Sequence, residues 1–171
     1  RGVVAETLSV NDAYYIGQNF AKQIRTKYKS CSIVVGYDGR LSSPNLKNNL
    51  IKGLLEVGVD VCDIGVGPTP LLYYSCYENN ASGGIMVTGS HNPKNHNGFK
   101  FVLQNMPFFG EDLISLSNKA NDYYFSAERG CFSEANYKDQ YLSRILKDLK
   151  IKKKTPDEGD RSNGSSGGDL C

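Results

Sequence analysis

Ser90 is the residue in this sequence whose type and setting point most directly to chemistry. It lies in Gly84-Ile85-Met86-Val87-Thr88-Gly89-Ser90-His91-Asn92-Pro93, an apolar run that ends in turn-forming residues. Open α/β sheets collect ligands at the carboxyl ends of their strands, so a hydroxyl delivered where a buried strand leaves the sheet is a candidate nucleophile. A serine hydroxyl is weak by itself and needs a neighbouring base or cation. Lys100 is the cation expected. It falls in Asn97-Gly98-Phe99-Lys100-Phe101-Val102-Leu103, a second apolar run. If the two runs pair as strands, Ser90 and Lys100 both face the mouth of the intervening loop. Strand alternation puts Phe99 and Phe101 on one face and Lys100 on the other; the bland alternative is a solvated surface lysine.

Other residues of the loop divide between ligand binding and plain structure. Gly89 is expected to let the backbone approach a ligand closely, and successive loop amides can form an anion-binding concavity. His91 either binds the loop backbone or reaches a substrate, while His96 reads as a solvated loop residue. Arg40 follows Asp38-Gly39 at the end of an earlier apolar run, and so reaches the same sheet edge. There its fork geometry could grip a phosphate; the alternative is a salt bridge to Asp38.

These residues require a scaffold of alternating strands and helices. Ser9 can cap a helix over Val10 to about Tyr28, with Ile16, Phe20 and Ile24 as its apolar stripe. Ser32–Tyr37 is a strand rich in β-branched residues. Ser42-Ser43-Pro44 opens a second helix that stops near Gly58. Val59–Ile64 is the next strand, Thr69–Glu78 a third helix and Gly83–Thr88 the strand that carries Ser90. The loop before Phe99–Leu103 is too short for a helical crossover, which makes that strand antiparallel. Glu111–Phe125 and Tyr137–Leu149 read as further amphipathic helices. The expected fold is α/β, a three-layer sandwich with a mixed, mostly parallel sheet flanked by helices. From about Lys152 the chain is polar, with Gly, Ser, Asn and acids that offer no apolar face. Residues 1–151 are therefore expected to form the domain and 152–171 a disordered tail.

Composition narrows the function. At 171 residues the chain suits one domain. A net charge of +2 argues against nucleic acid as a partner. No run approaches the roughly 20 apolar residues of a membrane helix, and the mixed residues after Arg1 are not those expected of a signal peptide. The five cysteines (Cys31, Cys62, Cys76, Cys131, Cys171) are scattered and never spaced as a metal motif. They read as the free thiols of a cytoplasmic protein.

Taken together, Thr88-Gly89-Ser90-His91-Asn92-Pro93 and Asn97-Gly98-Phe99-Lys100 resemble the active-site signature of the α-D-phosphohexomutases, in the form of the phosphomannomutase/phosphoglucomutase branch. Arg1-Gly2, Gly36-Tyr37-Asp38-Gly39-Arg40 and Pro68-Thr69-Pro70 extend the resemblance, which covers about residues 1 to 150. It implies an isomerase that moves a phosphoryl group between C1 and C6 of a hexose phosphate, through a phosphoserine and a bisphosphate intermediate. On that pattern Ser90 carries the phosphate, and Lys100 is the acid/base or charge stabiliser with Arg1 beside it. His91 shapes the loop, and Arg40, Thr88, Gly89, Asn92 and Asn97 belong to the substrate- and phosphate-binding set. The implied cofactor is Mg²⁺, bound to Ser90 through its phosphate, with hexose 1,6-bisphosphate as activator and intermediate. Mannose or glucose 1- or 6-phosphate is the implied partner.

Family enzymes have four domains, and the resemblance covers the first. The remaining metal ligands and the sugar-discriminating loop are then expected elsewhere, in further domains or on another chain, and the chain alone is expected to be incomplete and inactive. Asp157-Glu158-Gly159-Asp160-Arg161 echoes the family's metal loop but is one residue short. Two other readings stand beside this one: a non-catalytic remnant that binds sugar phosphate or a partner, and a serine hydrolase. The second lacks a Gly-x-Ser-x-Gly elbow.

Overall fold

The computed structural model describes residues 1–27, 31–103, 106–108, 126 and 128–149. In chain order its first elements are β1 (Gly2–Val3), α1 (Val10–Lys27), β2 (Ser32–Tyr37), α2 (Ser43–Glu56) and β3 (Asp60–Val66). There follow α3 (Thr69–Glu78), β4 (Gly83–Val87), β5 (His96–Asn97), β6 (Phe99–Leu103), β7 (Met106–Phe108), β8 (Phe132–Glu134) and α4 (Lys138–Asp148). Six strands form one sheet in the order β7-β6-β4-β2-β3-β8, and β1 pairs with β5 in a separate ribbon. The pairs β2–β3, β2–β4 and β3–β8 are parallel, while β4–β6 and β6–β7 are antiparallel. The sheet is thus mixed, with a parallel centre.

Alternation along the strands divides the interior into two cores. Ile33, Val35, Val61, Ile85, Val87 and Phe101 face α1 and α2, where Phe20, Ile24, Leu46, Leu50 and Leu54 meet them. Val34, Ile64, Met86 and Val102 face α3, against Leu71, Leu72 and Cys76, with Tyr137 and Tyr141 at the margin. Helices on both faces make the three layers expected from the sequence.

Local chemistry sets the helix ends. At the start of α1 the Ser9 amide donates to Asp12 Oδ2 (2.7 Å) and the Asp12 amide donates to Ser9 Oγ (3.2 Å), a reciprocal cap. The C-terminus of α2 closes on Gly58 at φ +77°, with the Gly58 amide donating to Leu55 O and that of Val59 to Leu54 O. That is a Schellman ending, and it needs a residue that tolerates the left-handed region. Ser42 precedes α2 but makes no side-chain cap; its hydroxyl serves another purpose, given below.

The structure departs from the sequence reading in several places. β3 begins at Asp60 and runs on to Val66, two residues past the expected end. β1, β5, β7 and β8 are short strands of two or three residues that carry no periodic signal of their own. β8 adds to the free edge of β3, a partnership made by tertiary contact alone. The expected helix over Glu111–Phe125 and the expected tail over 152–171 lie outside the described residues. Among the described residues no helix is long and apolar enough to cross a membrane.

Candidate active site

β4 is buried along its whole length, and its carboxyl end opens into the loop over residues 88–98. Two backbone bonds fix the exit: the Asp38 amide donates to Val87 O (3.0 Å) and the Thr88 amide to Gly98 O (2.8 Å). The loop is therefore pinned to the end of β2 on one side and to the start of β6 on the other.

Asp38 is the hub of the arrangement. It is buried and accepts five hydrogen bonds. Oδ1 takes the Arg40 amide (3.1 Å) and Ser43 Oγ (2.6 Å); Oδ2 takes Arg40 Nε (3.2 Å), Thr88 Oγ1 (2.9 Å) and the Gly89 amide (3.1 Å). A carboxylate this far from water is tolerated because donors satisfy it on every side. Thr88 Oγ1 in turn accepts from the Ser90 amide at 2.9 Å. The chain Asp38–Thr88–Ser90 thus fixes the backbone of the candidate nucleophile.

Arg40 binds the loop from the other direction. Its guanidinium is buried and all five N–H groups are occupied. Nε pairs with Asp38, Nη1 donates to Pro93 O (2.6 Å) and His96 O (3.0 Å), and Nη2 donates to Ser90 O (2.9 Å) and Asn92 O (2.7 Å). The sequence offered Arg40 as a phosphate ligand or as a partner of Asp38. The geometry gives the second, plus four loop carbonyls, and leaves no N–H of the guanidinium for an incoming group. Gly89 has a different neighbour from the one expected as well. A side chain there would run into the Arg40 guanidinium, so the missing Cβ makes room for Arg40.

Asn97 is fully buried. Its Nδ2 donates to Ser42 Oγ (2.8 Å) and Ser43 Oγ (2.9 Å), and its Oδ1 accepts from the Gly98 amide (2.8 Å). Ser43 therefore links Asn97 to Asp38. Asn92 sits half-buried in the loop, its amide donating to Gly89 O (3.1 Å).

Ser90 itself is half-buried and holds φ +54°. That left-handed conformation is uncommon for a residue with a Cβ and persists only where the surroundings enforce it. Here Thr88 and Arg40 do so, through the amide and the carbonyl of the same residue. The hydroxyl has no hydrogen-bond partner among the described residues. His91, next in the chain, is exposed. Lys100 is half-buried and stands opposite Met86, one pair into the β4–β6 ladder beyond Val87–Phe99. It lies on the α3 face while Phe101 enters the other core, as alternation requires. Arg1 is exposed, and the pairing of Gly2 with Asn97 sets it against Gly98, whose Cβ would lie 2.7 Å from Arg1 Cγ. Gly98 is two residues along the chain from Lys100, so Arg1 comes near the same mouth. Among the described residues no hydrogen bond joins Ser90 to His91, Lys100 or Arg1.

For a cation the described residues offer no cluster of three or more His, Cys, Asp and Glu side chains. Asp38, the carboxylate nearest Ser90 in the hydrogen-bond network, has both oxygens filled by five donors.

Residues 1–125 match the family described as phosphoglucomutase/phosphomannomutase, alpha/beta/alpha domain I. This chain belongs to that family. Among its relatives, a phosphomannomutase/phosphoglucomutase of Pseudomonas syringae is 36% identical over 167 residues, covering 98% of this chain and 36% of the relative. A Pseudomonas putida protein of the same description is 37% identical over the same coverage. A Neisseria meningitidis phosphoglucomutase is 33% identical, again across 98% of this chain and 36% of its own length. The chain thus spans about 36% of the curated relatives it matches. In three dimensions, a phosphoglucomutase/phosphomannomutase family protein from Burkholderia thailandensis superposes with a TM-score of 0.81 at 36% identity, over 89% of this chain and 35% of that one. A Thermus thermophilus chain with TM-score 0.77 is 24% identical and bears on the fold alone.

Of the residues picked from sequence, the structure ties Arg40, Thr88, Gly89, Ser90 and Asn92 directly together, and Asn97 through Ser43. Asp38 and Ser43 carry the network and are not among those residues. Their available signal was position: an acid at the carboxyl end of a strand, with hydroxyls at the following helix start.

Proposed function

We propose that Ser90 is a phosphoryl acceptor and donor, and that this chain is the phosphoserine-bearing part of a hexose-phosphate mutase. One observation carries the reading. In a member of this family, a serine hydroxyl without a partner among the described residues is held at φ +54° at the carboxyl end of a buried strand. In the reaction, the phosphate of phosphorylated Ser90 passes to a hydroxyl of a hexose 1- or 6-phosphate, breaking the Ser90 O–P bond and forming a sugar O–P bond. The bisphosphate reverses in the site and returns its other phosphate to Ser90 Oγ, releasing the isomeric monophosphate.

In this scheme Lys100 exchanges the proton of the sugar hydroxyl or balances charge on the transferred group, with Arg1 adding positive charge at the same mouth. His91 touches the sugar or the loop backbone. Mg²⁺, when bound to the phosphoserine oxygens, supplies charge neutralisation. Cys62, Cys76 and Cys131 carry free thiols, in keeping with a cytoplasmic setting. Because the relatives are nearly three times as long, we expect the 171-residue chain alone to turn over hexose phosphate slowly or not at all.

The test is intact mass and phosphopeptide mapping after incubation with glucose 1,6-bisphosphate. The expected result is one phosphate, on Ser90, absent from Ser90→Ala. In a chimera that joins this chain to the remaining two-thirds of the Pseudomonas putida relative, Ser90→Ala should abolish turnover. Lys100→Ala should lower kcat about 100-fold or more, the scale of losing a positioned proton-transfer group. Phosphate on another residue, or a Ser90→Ala chimera with near-normal rate, overturns the reading.

A further inference from the structure

We propose that Arg40 is a positioning residue that turns the Ser90 loop inside out, drawing its carbonyl oxygens inward so that its amides face an anion, and that Arg40 is not itself a phosphate ligand. Four carbonyls converge on one guanidinium: those of Ser90, Asn92, Pro93 and His96, at 2.6–3.0 Å. No peptide bond in the described chain is cis. In a planar trans peptide the carbonyl and the following N–H point in opposite directions. The inward carbonyl of Ser90 therefore obliges the His91 amide to point away from Arg40, and that of Pro93 does the same to the amide of Lys94. Asn92 precedes Pro93, which has no N–H to turn outward. Neither the His91 nor the Lys94 amide finds an acceptor among the described residues. Outward amides that follow a serine are donors of the kind that receive an anion.

The electrostatic consequence is as important as the geometric one. A phosphate on Ser90 brings close to two negative charges, and carbonyl oxygens directed at it would repel them. Arg40 sequesters those oxygens, and Asp38 holds Arg40 by Nε and by the backbone amide. The pair is internally neutral, so it orders the loop without placing an unbalanced charge in the core. Gly89 belongs to the same device, since any side chain there would displace the guanidinium.

The inference rests on Ser90 as phosphate carrier for its functional consequence, and the test keeps the two apart. In the 171-residue chain, Arg40→Lys keeps the charge but cannot reach four carbonyls from one planar group. Amide exchange across residues 88–98 should then quicken by about tenfold or more, while β2 and β4 keep their protection. With glucose 1,6-bisphosphate, the limiting rate of Ser90 phosphorylation should fall while the half-saturating concentration stays within about twofold. Asp38→Asn, which weakens the hold on Arg40 Nε together with those on Thr88 and the Gly89 amide, should move both readouts in the same direction and serves where Arg40→Lys fails to fold. Unchanged loop exchange in Arg40→Lys overturns the proposal. So does a raised half-saturating concentration at an unchanged limiting rate, the signature of a lost phosphate ligand. Should the unaltered chain take no phosphate, the phosphoserine reading falls, and loop exchange alone decides the positioning role.

Discussion

At the scale of single residues, the site is built from groups that restrain one another. Ser90 is the strained member, and its φ of +54° gives a measurable expectation. Replacement by Gly and by Ala both remove the hydroxyl, so both should end phosphorylation. Ala retains the Cβ that disfavours the left-handed region, whereas Gly does not, so Ser90→Gly should be more stable than Ser90→Ala by about 1 kcal/mol. Urea unfolding of the pair checks this; equal stabilities would mean that the loop relaxes out of the left-handed region once the hydroxyl is gone. Ser43 tests the network from beneath. Its buried hydroxyl donates to Asp38 and accepts from Asn97, so Ser43→Ala leaves a charged acceptor and an amide each short of a partner. The expected cost is about 1–3 kcal/mol in unfolding free energy, with the loop loosened more than the sheet in an amide-exchange map.

At the scale of elements, the position of α2 decides where Arg40 and Ser43 fall, and two glycines decide how α2 sits. A Cβ on Gly17 of α1 would run into the Leu50 carbonyl oxygen, and one on Gly53 of α2 into the carbonyl oxygen of Tyr14. The two helices cross with backbones nearly in contact, which an added methyl group cannot enter without pushing them apart. Gly17→Ala and Gly53→Ala should each destabilise by about 1–3 kcal/mol despite the better helix propensity of Ala. The double variant should fall short of the sum, since both changes open one crossing. Thermal unfolding of the three variants measures this, and a stabilised Gly53→Ala would contradict the tight crossing.

At the scale of the whole molecule, Cys76 makes the integrity of the α3 layer readable by titration and by thiol reagents. Cys76 lies in the α3 core, and burial pushes its thiol up to about 12 from the usual 9.0, with Cys62 nearby adding to the shift. Between those values the unfolded chain loses a proton that the folded chain keeps. The contribution is therefore fully present below about pH 9 and is lost as the pH rises towards 12, by at most about 1.4 kcal/mol per pH unit. Denaturant unfolding of the parent and of Cys76→Ala across that range should show a steeper fall for the parent. In the native state at neutral pH, exposed Cys131 should be the first of the described cysteines to react with a thiol reagent. Cys76 should label only at the rate of global unfolding, so early labelling would show that the α3 layer opens on its own.

Much of this protein is written locally. The strand over 32–37, the helix opening at Val10 and the one over 69–78 follow from β-branched runs, a Ser–Asp cap and a Pro-marked start. The antiparallel return at Phe99 follows from a loop too short to cross over. Ser90 and its neighbours stand out as a motif whose chemistry can be argued before any fold is known. The roles of Arg40, Gly89 and Asn97 could not be read this way. Fork geometry suits phosphate and carbonyl oxygen alike, and the choice depends on carbonyls 50 or more residues away that turn inward only in the folded loop. The same holds for β8, an exposed three-residue strand that exists because β3 offers it an edge. Sequence determined which groups this chain carries and the elements that deliver them. Tertiary structure decided which groups face a ligand and which are spent on one another, because a buried polar group must find its partner wherever the fold supplies one.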